Sequence, residues 1–537
     1  MGTFSNESLE PVQKSTNLNP GAGPGVPRPL RARGDPASVL THGWGAATRR
    51  VAAWLAGRHN AFRFAAGLIA LLALFALYAK DRQRWVGACD WYGYYEEARL
   101  FTQGRLTMPS ALDVGRYPAL APLAFVPMGG RIVPQYPPGF PLLLAAAMPF
   151  GLEYFVPALC TALFVWVMYL TLRHRVSRAV AWSFAGVWAV FPIVLAGARG
   201  VLSDLPAALG LLACFHLLVD RDRPVAAGLV FAFSVAIRPT NALFGILLLP
   251  MFGNWRRLLR FAVPAAVLGC LYGAYNWDLF GAPWRTGYSW MHPHLTPSVF
   301  RQYFAYYGTE VLRQFTPLLV LPALWAVVVR RGRGVFLLAW FLVFWAFYSL
   351  WAAGGDLWWW LRFLLPGLPA LFVLGVDGVE DLRTRLERWR PRWRPVVRGG
   401  VALLVAAVAA NVLAFDRREA LFGPNIAGKC FYDFALSAKQ RLPAGALVGS
   451  WEASGALRLY GGFESFVLLS ANAPTLIEES VAAGRKVYVL MEPSLREHRF
   501  VFDALARFDT GDEVLIKGFE RDVRALRVLG TRRTIGR

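Results

Sequence analysis

Apolar residues recur along this chain in long unbroken runs separated by short basic or aromatic turns, and most runs carry no polar face. Helices that are apolar all round sit in lipid or against other helices, not on the surface of a soluble protein. The first such run covers about Phe62–Ala79. Others follow at roughly 155–172, 179–197, 205–219, 224–238, 241–252, 261–276, 314–329, 335–352, 361–376 and 400–415. About 20 residues cross a hydrocarbon core about 30 Å thick. One run does not fit. Pro137–Phe150 is short and opens with Pro137, Pro138, Gly139 and Pro141, so it predicts an interfacial or re-entrant helix and not a span.

Leaving that run uncounted puts Arg173–Arg178, Asp220–Pro224, Asn254–Arg260, Arg330–Arg333 and Asp377–Arg398 on one side. Counting it would put their basic charge outside, against the tendency of Lys and Arg to stay in the cytoplasm. The pattern therefore predicts an α-helical polytopic membrane protein of about eleven transmembrane helices, with a cytoplasmic N-terminus and an extracytoplasmic C-terminus. Four stretches then share the outer face: the long loop 81–154, the turn Arg199–Asp204, the loop Asn276–Arg313 and the turn Gly354–Arg362. Residues 416–537 follow on the same side. Their strand-like runs Ala446–Ser450, Phe466–Leu469 and Lys486–Met491, with a helical run near Leu495–Phe508, predict a small soluble α/β domain. Residues 1–60, rich in Pro, Gly, Ser and Arg, read as a disordered cytoplasmic tail, leaving 61–415 as the transmembrane domain.

Composition agrees. Charged residues make up 17% of the 537 residues, against roughly 25% in soluble domains. The net charge of +23 would suggest nucleic acid in a soluble protein. Here the basic residues sit in short loops between apolar runs and report orientation instead, so no nucleic-acid partner is expected. The five cysteines show no metal-binding spacing. Cys160, Cys214 and Cys270 fall inside apolar runs, and Cys89 and Cys430 share the outer side without a spacing that assigns a bond. The first apolar run lies too deep in the chain for an ordinary signal peptide.

Candidate chemistry concentrates on the outer face. Asp90 opens the first outer loop in Cys89-Asp90-Trp91-Tyr92-Gly93-Tyr94-Tyr95-Glu96-Glu97. An acidic residue close to hydrocarbon is costly and often functional, although a solvated loop carboxylate gives the same sequence. Asp204 sits in a turn too short to be merely a linker, where it is also suited to cap the next helix. The spacing of Asp90, Tyr94, Ala98, Arg99 and Gly104 resembles the opening motif of the polyprenyl-phosphate-dependent membrane glycosyltransferases of the GT-C superfamily, which includes protein O-mannosyltransferases and the aminoarabinose transferase. Tyr136-Pro137-Pro138-Gly139-Phe140-Pro141, Arg238-Pro239-Thr240, Asn276-Trp277-Asp278-Leu279-Phe280-Gly281 and Arg362-Phe363-Leu364-Leu365-Pro366 resemble further segments of that family in the same order.

The resemblance implies inverting transfer of a sugar from a polyprenyl phosphate donor to a hydroxyl of a glycan, lipid or protein acceptor. Asp90 would be the general base and Asp204 a second member of the catalytic network. Arg362, and after it Arg238, would bind the leaving phosphate through guanidinium donors; snorkelling of either toward lipid headgroups is the competing reading. Tyr94, Tyr95 and Glu97 complete the expected substrate-binding set. Trp358–Trp360 suit an interfacial aromatic belt better than sugar stacking. Where many relatives carry a second acidic residue directly after the first, this chain has Trp91, and His292-Pro293-His294 is weak as a ligand pair. No obligatory metal and no cofactor are therefore expected. The resemblance also implies a bacterial inner membrane. A secondary transporter and a non-catalytic membrane scaffold with an outer binding domain are the alternative classes. The runs show no inverted repeat of the kind that marks transporters.

Overall fold

The chain begins its described course with helix α1, Ala65–Lys80. The computed structural model describes residues 65–87, 89–288, 295–351, 358–493, 495, 498–518 and 522–531. The polar stretch 1–60 and the His292-Pro293-His294 triplet lie outside these residues. Helix α2 is Cys89–Thr102. It leads into a hairpin of β1, Phe125–Met128, and β2, Arg131–Pro134, paired antiparallel with Met128 opposite Arg131. The two loop residues, Gly129 and Gly130, both have positive φ, as a two-residue hairpin turn requires.

The bundle follows: α3 Gly139–Ala147, α4 Val156–Arg173, α5 Arg178–Ala189, α6 Pro192–Arg199, α7 Asp204–Phe215, α8 Pro224–Ile237, α9 Ala242–Leu248, α10 Trp255–Phe280, α11 Phe300–Arg330, α12 Gly332–Ser349, α13 Leu368–Trp389 and α14 Arg394–Arg418. Among the described residues, five helices are long and apolar enough to cross a membrane, or up to seven if each of two bent pairs is one span. The other expected runs correspond to bent pairs and to shorter apolar helices. The run 179–197 is α5 and α6, bent by 57° ahead of Pro192. The run 361–376 belongs to a 3₁₀ turn, Trp358–Leu364, and α13, bent by 88°. Ala65–Lys80, Gly139–Phe150, Pro224–Ile237 and Pro239–Met251 are shorter apolar helices. The short segment expected after Pro137 is indeed a helix of nine residues ending in a 3₁₀ turn.

Buried aromatic rings hold the bundle together. Trp188, Phe191, Phe315 and Phe372 interlock across α5, α11 and α13, and Phe215, Phe244 and Trp340 across α7, α9 and α12. Each such ring removes 150–250 Å² from solvent.

After α14 the chain forms α15, Lys429–Arg441, and a five-stranded sheet. Its strands are β3 Leu447–Ser450, β4 Glu464–Val467, β5 Val487–Met491, β6 Phe508–Ile516 and β7 Val523–Thr531, in the order β4-β3-β5-β7-β6. The first three are parallel and β7 antiparallel to β5. Short helices α16 Ser454–Ala456, α17 Ala473–Ala482 and α18 Arg499–Leu505 connect them. The three expected strands are present. The β6–β7 hairpin was not expected, and the predicted helical run up to Phe508 is only α18. A second apolar core, including Tyr92, Phe125, Tyr136, Phe140, Phe466 and Leu476, joins α2, α3 and the hairpin to this sheet. Polar contacts fix the same junction: Val86 N–H donates to the Tyr460 hydroxyl at 3.0 Å, and Leu123 N–H to the Ser454 hydroxyl at 3.1 Å. Residues Leu68–Arg537 form one compact unit.

Candidate active site

Four elements deliver one charged side chain each to a common point. Asp90 lies in the first turn of α2, Asp204 is the first residue of α7, Arg238 terminates α8, and Arg362 sits in the 3₁₀ turn before α13. They alternate in sign. Arg362 Nη2 donates to Asp90 Oδ2 at 2.9 Å, Arg362 Nη1 lies 3.7 Å from Asp204 Oδ2, and Arg238 Nη1 donates to Asp204 Oδ1 at 2.5 Å. Asp204, Arg238 and Arg362 are buried, whereas the Asp90 side chain is 34% exposed. The row thus opens to solvent at the Asp90 end. The capping expected of Asp204 does not occur. Its carboxylate turns to the two guanidiniums, while its place in the first turn keeps it in the favourable field of the helix N-terminus.

Two close backbone approaches make the arrangement possible. An added Cβ at Gly139 would meet the Ala236–Ile237 backbone at 2.6 Å, so glycine lets α3 press against the end of α8 that carries Arg238. An added Cβ at Gly93 would meet the Tyr136 ring at 2.5 Å. Through that contact Tyr136 reaches Asp90, donating from its hydroxyl to Oδ1 at 2.5 Å. Burial pushes the Asp90 carboxyl up. The Arg362 charge and the hydrogen bonds from Tyr136 and Arg362 outweigh it and hold the group below its ordinary value.

Tyr94 stands beside the row, its hydroxyl 2.7 Å from Ser203 and its ring centroid 4.6 Å from that of Tyr136. Tyr95 and Glu97 go elsewhere. The Tyr95 ring stacks on Tyr154 at 5.7 Å. Glu97 lies seven residues beyond Asp90, on the same helix face but about 10 Å further along, and accepts from Tyr275 at 2.9 Å. Burial drives its carboxyl well above the ordinary range, and the Tyr275 bond offsets this only in part. Trp359 and Trp360 stack on each other, and the Arg362 guanidinium lies 4.2 Å from the Trp359 ring. At least one member of this aromatic run therefore touches the site, although the sequence suggested a belt. Cys89 and Cys430 are free thiols. Burial pushes the Cys89 thiol up to about 12, with the nearby Asp90 charge adding to it.

Sequence reasoning assigned no role to Tyr136, Ser203, Tyr288 or Tyr348. Tyr136 lies in a segment singled out for its prolines, and Tyr348 is inside an apolar run. Only the folded chain shows Tyr348 below Arg238, 5.8 Å from ring to guanidinium, with its hydroxyl 2.9 Å from Thr240.

Two cavities adjoin the row. One of about 310 Å³ is lined by Arg238, Thr240, Tyr288, Tyr348, Trp351 and Phe363 among others. The other, about 130 Å³, is lined by residues including Trp91, Asp204, Trp359, Arg362 and Asn425. A separate apolar cleft of about 560 Å³ between α2, α8 and α10 includes Tyr272 and Tyr275 but none of the four charged residues. Arg362 Nε is buried and has no acceptor among the described residues. No three His, Cys, Asp or Glu side chains converge as metal ligands among the described residues. The row offers a charged, partly dry site with one open carboxylate and a spare guanidinium donor.

The architecture on which this row is built, a bundle of apolar helices followed by a C-terminal α/β sheet, is shared with solved membrane-protein structures. ArnT from Cupriavidus metallidurans in the apo state shares it with a TM-score of 0.54 and 16% identity, over 88% of this chain and 100% of that one. The same protein bound to undecaprenyl phosphate gives a TM-score of 0.57 and 17% identity, over 88% and 99%. The Archaeoglobus fulgidus oligosaccharyltransferase in the apo form aligns at 0.47 and 15%, over 83% of this chain and 73% of that one. At these identities the likeness to ArnT establishes a shared fold. No family model and no curated protein matches the chain.

Proposed function

We propose that the chain is a membrane glycosyltransferase. It moves a sugar from a polyprenyl phosphate to an acceptor hydroxyl on the extracytoplasmic face, with inversion and with Asp90 as general base. The observation that carries this reading is the row Asp90–Arg362–Asp204–Arg238, whose members line two adjoining cavities, in a fold shared with ArnT, which has been solved bound to undecaprenyl phosphate.

The chemistry follows from the geometry. As the acceptor oxygen bonds to the anomeric carbon, its proton becomes strongly acidic. A carboxylate of lowered basicity then suffices to take it, provided it is ionised and aligned. Asp90 meets both conditions: Arg362 and Tyr136 keep it ionised and fixed, and its exposure lets a hydroxyl reach it. The breaking C–O bond places negative charge on the departing phosphate. Arg238 lines the larger cavity, and Arg362 Nε is a buried donor in need of an acceptor. Arg238 can receive that charge directly and without reorganising, while Arg362, which lines the smaller cavity, adds its field from beside Asp204. Asp204 holds the two arginines together and keeps their mutual repulsion in check. We assign the phosphate to the larger cavity and the acceptor to the Asp90 side. The reading places the charged row at the outer face of a cell membrane, with the acceptor a glycan, lipid or protein.

Undecaprenyl phosphate binding to purified protein tests the donor side. Arg238→Gln is expected to weaken it about tenfold or more, while Tyr95→Phe, which lies off the row, leaves it unchanged. Equal affinity of wild type and Arg238→Gln would remove Arg238 from the phosphate site.

A further inference from the structure

Helix α7 begins at Asp204, and its far end carries a second polar cluster that the proposed transfer does not use. The helix continues past Phe215 as a π-turn, His216–Asp220. This places Asp220 about 24 Å along the axis from Asp204 at roughly 1.5 Å per residue.

The charges at this end do not cancel. Asp220 is buried and pairs with Arg175 Nη1 at 3.3 Å and Arg333 Nη2 at 3.4 Å, and Arg175 Nε lies 3.8 Å from Asp377. Two carboxylates are thereby matched by two guanidiniums. Arg173, the last residue of α4, and Arg221, the first after the π-turn, have no carboxylate partner among the described residues. Both face a cavity of about 290 Å³ that they share with Leu170, His174 and His216. His216 is buried, and its Nδ1 is taken by Asp220 at 3.2 Å and Thr171 at 3.3 Å. Its Nε2 is the ring nitrogen without a described partner. The aromatic cluster of Trp166, Tyr169 and Trp182 lies within a turn or two of Arg173 on α4 and α5. Clusters of Trp and Tyr mark the depth of lipid headgroups.

We propose that this cavity is a binding site for the phosphate of a membrane lipid headgroup. Arg173 and Arg221 would grip the phosphate oxygens, with the His216 ring beneath. Two uncompensated guanidiniums on one small cavity match the charge and fork geometry of a phosphate. The aromatic cluster puts that cavity where such phosphates lie. The site is independent of the transferase reading, because it shares no residue with the charged row.

The test is native mass spectrometry of the full chain after mixing with defined lipids, comparing wild type with the Arg173→Gln, Arg221→Gln double variant. Both arginines are exposed and unpaired, so the variant should fold; equal melting temperatures in lipid-free detergent check this. Wild type is expected to retain one phosphatidylglycerol that the variant loses, with affinity falling about tenfold per arginine, and inorganic phosphate should compete for the site. Equal retention by wild type and variant would overturn the proposal. Inorganic phosphate bound without any retained lipid would overturn the lipid as its source.

Discussion

Asp204 has two guanidinium neighbours and almost no contact with water. Replacing it with alanine strands Arg238 as an unpaired buried charge. Breaking a buried pair from one side costs about 3–5 kcal/mol, so Asp204→Ala is expected to lower the unfolding free energy in detergent by that order. A change below about 1 kcal/mol would show that water reaches the row freely. Glu492 offers a separate test by pH. Burial pushes its carboxyl up to about 7, even though the Ser450 hydroxyl and the N–H groups of Trp451 and Glu452 donate to it. A folded-state value raised above the ordinary one gives stability that is full below about pH 4 and lost as pH rises through about 7. Wild type should lose roughly 3 kcal/mol across that window relative to Glu492→Gln; parallel pH profiles would contradict it. The sequence made Asp204, Arg238 and Arg362 legible because each sits at the edge of an apolar run, where a charge stands out, and Asp90 legible through the spacing of Asp90, Tyr94, Ala98 and Arg99. Tyr95, expected with the substrate-binding set, is turned about 140° away from Asp90 by five residues of helix, and only the packing of α2 decides which face meets the row. Tyr136 was illegible in its role because its bond to Asp90 spans 46 residues.

At the scale of elements, the site depends on α3 lying against the end of α8. Gly139→Val would drive a side chain into the Ala236–Ile237 backbone and push Arg238 away from Asp204. The expected result is loss of undecaprenyl phosphate binding at least as great as in Arg238→Gln. Retention of wild-type affinity would show that α3 does not set the position of Arg238. Apolar runs disclosed most of the helices because lipid and protein interiors both demand them. Bends were hidden, since hydropathy is blind to backbone direction. The 57° break before Pro192 and the 88° break before α13 leave the mean hydropathy of their runs intact. Yet the second break is what presents Arg362 to Asp90. The β6–β7 hairpin escaped notice for a related reason: its strands alternate irregularly, with charged Asp512 and Glu513 on the edge strand β6 and an exposed Arg524 on β7 beside it.

For the whole molecule, the proposed orientation places the C-terminal sheet outside the cell. Cys430 is exposed and its thiol is free. A membrane-impermeant maleimide should label it in intact spheroplasts, slowly because partial desolvation of the sulfur raises its thiol above the ordinary value. Labelling should vanish in Cys430→Ser; labelling only after lysis would reverse the orientation. The broad fold class and the two-part layout followed from the segregation of apolar runs from the mixed pattern after residue 416. The convergence of the four charged residues did not, because it depends on how distant helices pack. The most direct test of the account is transfer of radiolabelled sugar from a panel of polyprenyl-phosphate donors, in membranes containing wild type or Asp90→Asn at equal expression. Wild type is expected to label a product, with the variant slower by a factor of about 10² to 10⁴. Equal transfer by both would contradict the assignment of Asp90 as the base.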